Sequence, residues 1–543
     1  LLSGGKNMKT INMQIMDSDV LIIGSGIAGL RAALEVSKLG RRALLISKGP
    51  LGKANNTYLA GGLFAFGAES ADIHAHIDKT LKSGRGLNNL KLVETFAKQA
   101  PTMVRELQEM GMRGKMHKTG LITRQSSLIG GPKITPPLIR ACQESGVQYL
   151  DGIMVTDLVT QDQSCIGAIG FHRRTGAVFG FGSRAVVLAT GGAGAIYSQN
   201  NNAPGSTGDG YALALEAGLD LVDMEFVQFY PLVRAKGGQA RMIVPAVLAD
   251  LGKITNRLGE DLKEKYELRE KPIALASRDR LARALFQEIS QGKGIDGAIH
   301  LDLREVKDAA IPFNKETIEI LKRNLVYHLA PVKIAPACHH TMGGLGIDIT
   351  GHTEIRGLFA AGEVVGGIHG ANRMGGNALS ESLVFGALAA QSALKYADSR
   401  PPSKHFQGEA EELARKTFAR SLGENSKPIT ARPLMTKLGR ILWEKAGILR
   451  DEKSLKESID GIDGVLGELE GHGAGNPLDL FRVFECRNAA LSARAIAVSA
   501  LKRTESRGSH YRTDFPKENN AWLKHIYVRM SQGIPELSRI VSI

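Results

Sequence analysis

Cysteine is scarce: four residues in a chain of 543, at positions 142, 165, 338 and 486. Their wide separation leaves no C-x-x-C pair, so the sequence encodes neither a zinc site nor an iron–sulfur cluster, and no metal site is expected. So few thiols in so long a chain suit a reducing cytoplasm. No run of about 18 apolar residues occurs, which excludes an ordinary transmembrane helix. The stretch from Leu1 to Asp19 carries Lys6 and Lys9 without an apolar core, so it does not read as a secretion signal, and Met8 is a candidate native start. No long basic block accompanies the net charge of +14. We therefore expect a solvated basic surface that attracts acidic ligands or an acidic partner, and no nucleic acid. Internal repeats and low-complexity tracts are also missing.

Glycine, by contrast, is abundant, at 63 residues, and has no collagen-like period. The excess must serve tight turns and close backbone approaches. Asp19 to Ile23 is an apolar, β-rich run suited to a strand buried on both faces. It leads into Gly24-Ser25-Gly26-Ile27-Ala28-Gly29, then a helical pattern from Leu30 to Leu39, a stop at Gly40 and a second buried strand over Ala43 to Ile46. This is a βαβ unit with G-x-G-x-x-G at its turn. Gly24 permits the turn, Gly26 lets a pyrophosphate approach the backbone, and Gly29 lets helix and strand pack closely. The helix N-terminus offers unpaired N–H groups to phosphate oxygens. The acidic residue of NAD sites is replaced by Ser47-Lys48, which weakens an NAD reading and leaves FAD.

Two later stretches repeat the strand-to-glycine pattern: Ala185 to Gly192, followed by Thr207-Gly208-Asp209-Gly210 and a helix over Tyr211 to Ala217; and Gly357 to Glu363, followed by a helix from Asn377 to Ala397. One cofactor domain assembled from distant segments is implied. Residues 398–427 are polar and carry Pro401-Pro402, which places a boundary there, and Pro428 to Arg503 reads as mostly helical.

In this order the motifs resemble the flavoprotein family of succinate dehydrogenase, fumarate reductase and L-aspartate oxidase. They are G-S-G-I-A-G at 24–29, S-K-G at 47–49, A-T-G-G at 189–192, T-G-D-G at 207–210, S-R-D at 277–279, H-H-T-M-G-G at 339–344, A-A-G-E at 360–363, H-G-A-N-R-M-G-G-N at 369–377 and T-E-S-R-G-S-H-Y-R-T-D-F-P at 504–516. The resemblance implies an α/β fold: a Rossmann-like FAD-binding domain with an inserted α+β capping domain and a helical C-terminal domain. The expected division is 19–225 and 339–397 for the two parts of the FAD-binding domain, 226–338 for the cap, 398–427 for a linker, 428–510 for the helical domain and 511–543 for a C-terminal segment. It also implies FAD contacts from Gly24, Gly26, Ile27, Ala28, Gly29, Ser47, Lys48, Thr57, Ala60, Gly61 and Gly62. Further contacts are expected from Ala189, Thr190, Gly191, Gly192, Thr207, Asp209, Gly362, Glu363, Asn377, Ala378 and Leu379.

By the same resemblance, Arg373 grips a substrate carboxylate, where a fork of donors suits two oxygens. His339 is a second carboxylate or oxyanion donor, and Arg278 transfers the proton in reduction of a C=C bond. An arginine stays protonated, so it needs a relay that returns its proton. Other readings of these residues remain: Arg278-Asp279-Arg280 as a solvated charge cluster, His339-His340 as a turn pair, Arg373 as a clamp on the cofactor's phosphates. Three departures stand out. Q-F-H-P-T of the family is Gln228-Phe229-Tyr230-Pro231-Leu232 here, which leaves Tyr230 as a substrate contact. The T-E-x-x-R-G-E-G-G segment becomes Val244 to Gly252, losing its threonine, glutamate and arginine, with Arg241 nearby as a possible replacement for the second carboxylate's partner. Asn55-Asn56-Thr57 replaces the histidine-bearing segment that attaches FAD covalently, so FAD should be non-covalent.

The expectation is a cytoplasmic FAD oxidoreductase, peripheral where it joins a membrane complex. It reduces an unsaturated carboxylic acid such as fumarate, with electrons from an iron–sulfur subunit. L-aspartate-oxidase-like oxidation of an amino acid, and a flavin electron-transfer subunit of a larger redox complex, are the alternatives.

Overall fold

The computed structural model describes residues 12–123, 134–236, 239–422, 427–428, 430–470 and 472–543. The first strand spans Met13–Ile23, and its second half, Val20 to Ile22, has no exposed surface. It pairs in parallel with Ala43–Ile46 on one side and Val178–Leu188 on the other, with Ile22 opposite Leu45 and Val187. Gln148–Leu150 extends the parallel edge, and Leu358–Ala360 joins beside Val178–Leu188. The antiparallel strands Ser164–His172 and Ile153–Gln161 complete a seven-stranded sheet. All three glycine turns therefore lie at the carboxyl ends of neighbouring parallel strands, where ligands bind in open α/β sheets.

Helix Ile27–Lys38 packs against helix Asn377–Asp398, which joins the early and late segments of the chain into one unit. Their approach is close enough that a Cβ at Gly386 would lie 2.5 Å from the Ala28 carbonyl oxygen. Residues after Glu225 form a second, five-stranded antiparallel sheet in the order Gln239–Ile243, Val227–Lys236, Val332–Thr341, Ile299–Asp302, Lys253–Thr255. It has a core of its own, including Leu232, Leu248, Leu285 and Ile334. The change of unit expected at 338 falls inside the strand Val332–Thr341, which carries His339 and His340 from the cap towards the first sheet.

Residues 398–427, expected as a linker, hold a 17-residue helix, Phe406–Leu422. Its apolar stripe is narrow: Phe406, Ala410, Ala414 and Phe418 recur every fourth residue and pack on Ile169, Phe171 and Phe484. Polar residues elsewhere on the helix conceal that stripe. The C-terminal helices are Ala431–Lys445, Glu452–Leu469 and Pro477–Lys502. Asp451 starts the second with a capping box: its side chain accepts from Ser454 N at 2.8 Å, and Ser454 Oγ accepts from Asp451 N at 3.1 Å. Asn476 caps the third, with Pro477 at the first helical position. The hairpin Lys524–Ser531 and Ile534–Ser542 extends a small sheet with Leu221–Val222 and Gly344–Leu345, which fastens the chain's end onto the first unit. Among the described residues, no helix is long and apolar enough to cross a membrane.

Candidate active site

A cavity of about 590 Å³ runs from the first glycine turn to the cap. At the turn Gly24 adopts φ +113°, and a Cβ there would sit 2.2 Å from the Ala189 carbonyl oxygen. Gly29 is equally constrained, since its Cβ would meet the Gly24 carbonyl oxygen at 1.8 Å. Gly26 differs. A Cβ added there would meet only Thr57 Oγ1, at 3.5 Å, and would point into the cavity that Gly26 borders. Thr57 Oγ1 accepts from Ile27 N at 3.0 Å and fixes the helix start. The cradle therefore fits a pyrophosphate: backbone exposed at the N-terminus of a 12-residue helix, with no acidic side chain in its first turn.

At one end of the cavity Lys48 Nζ lies 2.6 Å from Asp209 Oδ2 and 2.8 Å from Glu485 Oε1, and donates to Thr207 Oγ1. Burial opposes the ammonium charge, but the two carboxylates outweigh it and hold the Lys48 pKa above its ordinary value. Arg173 and Phe481 border the same end. Midway, Asn56 donates to Asn202 Oδ1 at 2.7 Å and to Glu363 Oε2 at 3.2 Å, while Thr341 N donates to Glu363 Oε1 at 3.1 Å. Asn55 caps helix Asn56–Leu59 by accepting from Tyr58 N at 3.0 Å.

At the other end stand Arg278, His339, His340 and Arg373. Arg278 opens helix Arg278–Ser290, is 4% exposed, and has no hydrogen-bond partner for Nε or Nη1 among the described residues. Arg373 donates through Nη2 to Gln228 Oε1 at 3.0 Å and leaves Nε unpartnered. Burial, then repulsion from Arg278, pushes the Arg373 pKa down to about 9; burial also lowers Arg278. Two buried guanidinium groups with unused donors call for an anion between them. His339 and His340 are held well below the usual histidine range by burial and then by Arg373, so both are neutral. His339 Nδ1 pairs with Asn201 Oδ1 at 3.1 Å, and the His340 ring packs on His369.

Of the residues expected at FAD, Gly24, Gly26, Ile27, Ala28, Ser47, Lys48, Thr57, Ala60, Gly61, Gly62, Ala189, Thr190, Gly191, Asp209, Gly362, Glu363, Ala378 and Leu379 border this cavity. Four expected ones stand behind its wall. Gly29 packs helix on strand. Gly192 makes room for Glu363, whose Oε1 would be 2.4 Å from an added Cβ. Thr207 accepts from Lys48, and Asn377, fully buried, donates to Thr80 Oγ1 at 3.0 Å. Tyr230, expected as a substrate contact, also stands behind the wall. Its hydroxyl donates to the Val244 carbonyl at 3.2 Å, and its ring packs on Arg278 and His339 outside the cavity wall. The side chain of Arg241 lies outside the described residues. Asn201, Asn202, His340, Phe481 and Glu485 also border the cavity, although sequence reasoning assigns them no role there. Asn201 and Asn202 come from an aperiodic loop, and Phe481 and Glu485 from a helix more than 400 residues distant from Lys48, so no local pattern marks these four; His340 follows His339 on the strand Val332–Thr341.

Residues 19–379 match the FAD binding domain family, and residues 435–539 match the fumarate reductase flavoprotein C-terminal family. The chain is 34% identical to one of the subunits of the fumarate reductase (CoM/CoB) of Methanothermobacter marburgensis, covering 94% of this chain and 97% of that protein. It is 30% identical to L-aspartate oxidase of Streptomyces coelicolor, covering 95% and 92% respectively. Its fold matches the solved E. coli quinol fumarate reductase FrdA with a TM-score of 0.88 at 26% identity, over 98% of this chain and 97% of that one.

Proposed function

The chain belongs to the fumarate reductase and succinate dehydrogenase flavoprotein family, with FAD as its cofactor, and from that premise we propose that it reduces the C=C bond of an unsaturated carboxylic acid. The observation that carries this reading is that Arg278 and Arg373 border the same cavity as the dinucleotide glycines. Bound FAD supplies a hydride donor at the double bond. The protein supplies the rest. Arg373, clamped by Gln228, holds the carboxylate; neutral His339, its Nδ1–H committed to Asn201 Oδ1, and neutral His340 border the site without adding charge; Arg278 delivers a proton to the neighbouring carbon. Ile243 and Leu275 border the cavity, and burial of the acid between apolar walls and two arginines strengthens each charge contact.

The same wall argues about substrate. Where the family presents polar groups for a second carboxylate, this chain has Ile243, a buried Val244 and a Tyr230 hydroxyl already committed to a carbonyl. An unpaired second carboxylate there would cost several kcal/mol, about 2–7 for even a neutral polar group. A monocarboxylic enoate, or an acid with a bulky neutral end, is the preferred substrate. Asn55 and Asn56 make hydrogen bonds and offer no nucleophile, so FAD is held without a covalent bond. Electrons reach the site from a separate protein of iron–sulfur type. Anaerobic reduction of the flavoprotein, followed by spectral titration with fumarate, a crotonate-type acid and iminoaspartate, tests the reading. Reoxidation by the crotonate-type acid supports it; reoxidation by none of the three acids rejects it, and formation of iminoaspartate from aspartate would place the chain with the amino-acid oxidases.

A further inference from the structure

An arginine that gives up a proton must recover it each turnover, because its neutral form is too unstable to persist. The glutamate and arginine that serve the family as relay are absent, and the positions that replace them, Pro245 and Leu248, carry no proton. The structure offers a different neighbour. A second, much smaller cavity of about 10 Å³ lies behind Arg278, bordered by Gln228, Asp279, Arg283, Asn372 and Ser509. That volume is about the space one water needs, and the walls supply more than the two to four polar partners a buried water requires. Among the described residues Arg278 alone borders both cavities. Its Nε and Nη1 are buried and lack protein partners. Asp279 pairs with Arg283 at 3.1 Å, and these side chains are 16% and 23% exposed, so the pair connects the small cavity with solvent.

We propose that Asp279 is the residue that returns the proton to Arg278, through a single water in this small cavity. In each turnover the alkene takes a hydride at one carbon and a proton from Arg278 at the next. The Asp279 carboxylate, paired with Arg283, takes a proton from bulk solvent and hands it to the water, which in the same relay passes a proton to neutral Arg278, so that carboxylate, water and guanidinium all return to their starting forms. Charge and protons balance without any further reactant. Asp279 acts through Arg278 and touches no substrate, so it is a positioning and relay residue. The inference rests on Arg278 being the proton donor proposed above.

The test uses the full chain loaded with FAD, chemically reduced, with a crotonate-type acid as oxidant. Asp279→Asn should lower turnover about 100-fold, within the range by which positioned proton transfer accelerates a reaction. Flavin content and the Kd of the acid for the oxidised protein should be unchanged, and the solvent deuterium isotope effect should rise as proton return becomes limiting. Asp279→Glu should recover most of the rate. Ala282→Val, which fills the small cavity without altering charge, should lower turnover about 10-fold with the same rise in isotope effect, and it serves where Asp279→Asn fails to fold. Native turnover and an unchanged isotope effect in Asp279→Asn and Ala282→Val, alongside collapse in Arg278→Gln, would overturn the relay and leave Arg278 as donor. Native turnover in Arg278→Gln would overturn the donor reading itself.

Discussion

Arg373 and Gln228 close a two-bond clamp: Arg373 Nη2 donates to Gln228 Oε1 at 3.0 Å, and Gln228 Nε2 donates to the Arg373 carbonyl at 2.9 Å. Gln228 Nε2 also donates to Asn372 Oδ1 at 2.8 Å, and Ser509 N holds the Ala371 carbonyl at 3.0 Å. The guanidinium is thereby aimed from strand Val227–Lys236 of the cap, while the loop that carries Arg373 is held at Ala371 by Ser509. Gln228→Ala should free the guanidinium, raising KM for the acid about 10-fold while changing kcat little. That is about the 1.4 kcal/mol expected when one hydrogen bond to a charged group is lost. Steady-state kinetics with a reduced dye as donor check this.

Gly26→Val should abolish flavin retention. The added side chain would enter the cavity rather than the protein core, so the fold should persist while the cofactor is excluded. Flavin absorbance per mole of purified protein, with circular dichroism for fold, decides it. Full flavin content would assign the pyrophosphate elsewhere.

Acid precipitation of the native protein should leave the yellow colour in the supernatant. A pellet that stays fluorescent on a denaturing gel would mean a covalent link and would remove the role given to Asn55 and Asn56.

Acid should destabilise the protein through its buried histidines. Burial, then the charge of Arg373, brings the His369 pKa down to about 3. The folded form therefore binds fewer protons than the unfolded chain between about 3 and the ordinary value near 6.5. Stability from this group is fully present above about 6.5 and is lost as pH falls towards 3, with a slope of about 1.4 kcal/mol per pH unit for one proton. His369→Gln should remove about one proton of uptake from that slope in urea titrations between pH 4 and 6. An unchanged slope would place a charged His369 in the folded protein.

The glycine turns were legible because each pairs a buried strand with a helix start, and both are local patterns. The same holds for helix Asn377–Asp398, whose bounds differ from the expected ones by a single residue. Helix Phe406–Leu422 was concealed because four apolar residues on one side suffice when they meet a prepared surface of phenylalanines. The bond that Tyr230 makes was hidden for another reason. Its partner is a backbone carbonyl fourteen residues on, brought opposite by the pairing of Val227–Lys236 with Gln239–Ile243, and no side-chain pattern signals that bond. Glu485 is similar: only folding brings it to Lys48.

Single-turnover reoxidation of the anaerobically reduced flavoprotein, with native protein, Arg373→Lys and Arg278→Lys compared over a range of acid concentrations, tests the central claim most directly. Lysine keeps the charge but loses the planar fork. The account predicts that Arg373→Lys reaches nearly the native rate only at acid concentrations about 10-fold higher or more, whereas Arg278→Lys saturates as native does but at a rate about 100-fold lower, with flavin content equal in all three. Identical reoxidation curves for the three proteins would contradict a reaction centred between these two arginines.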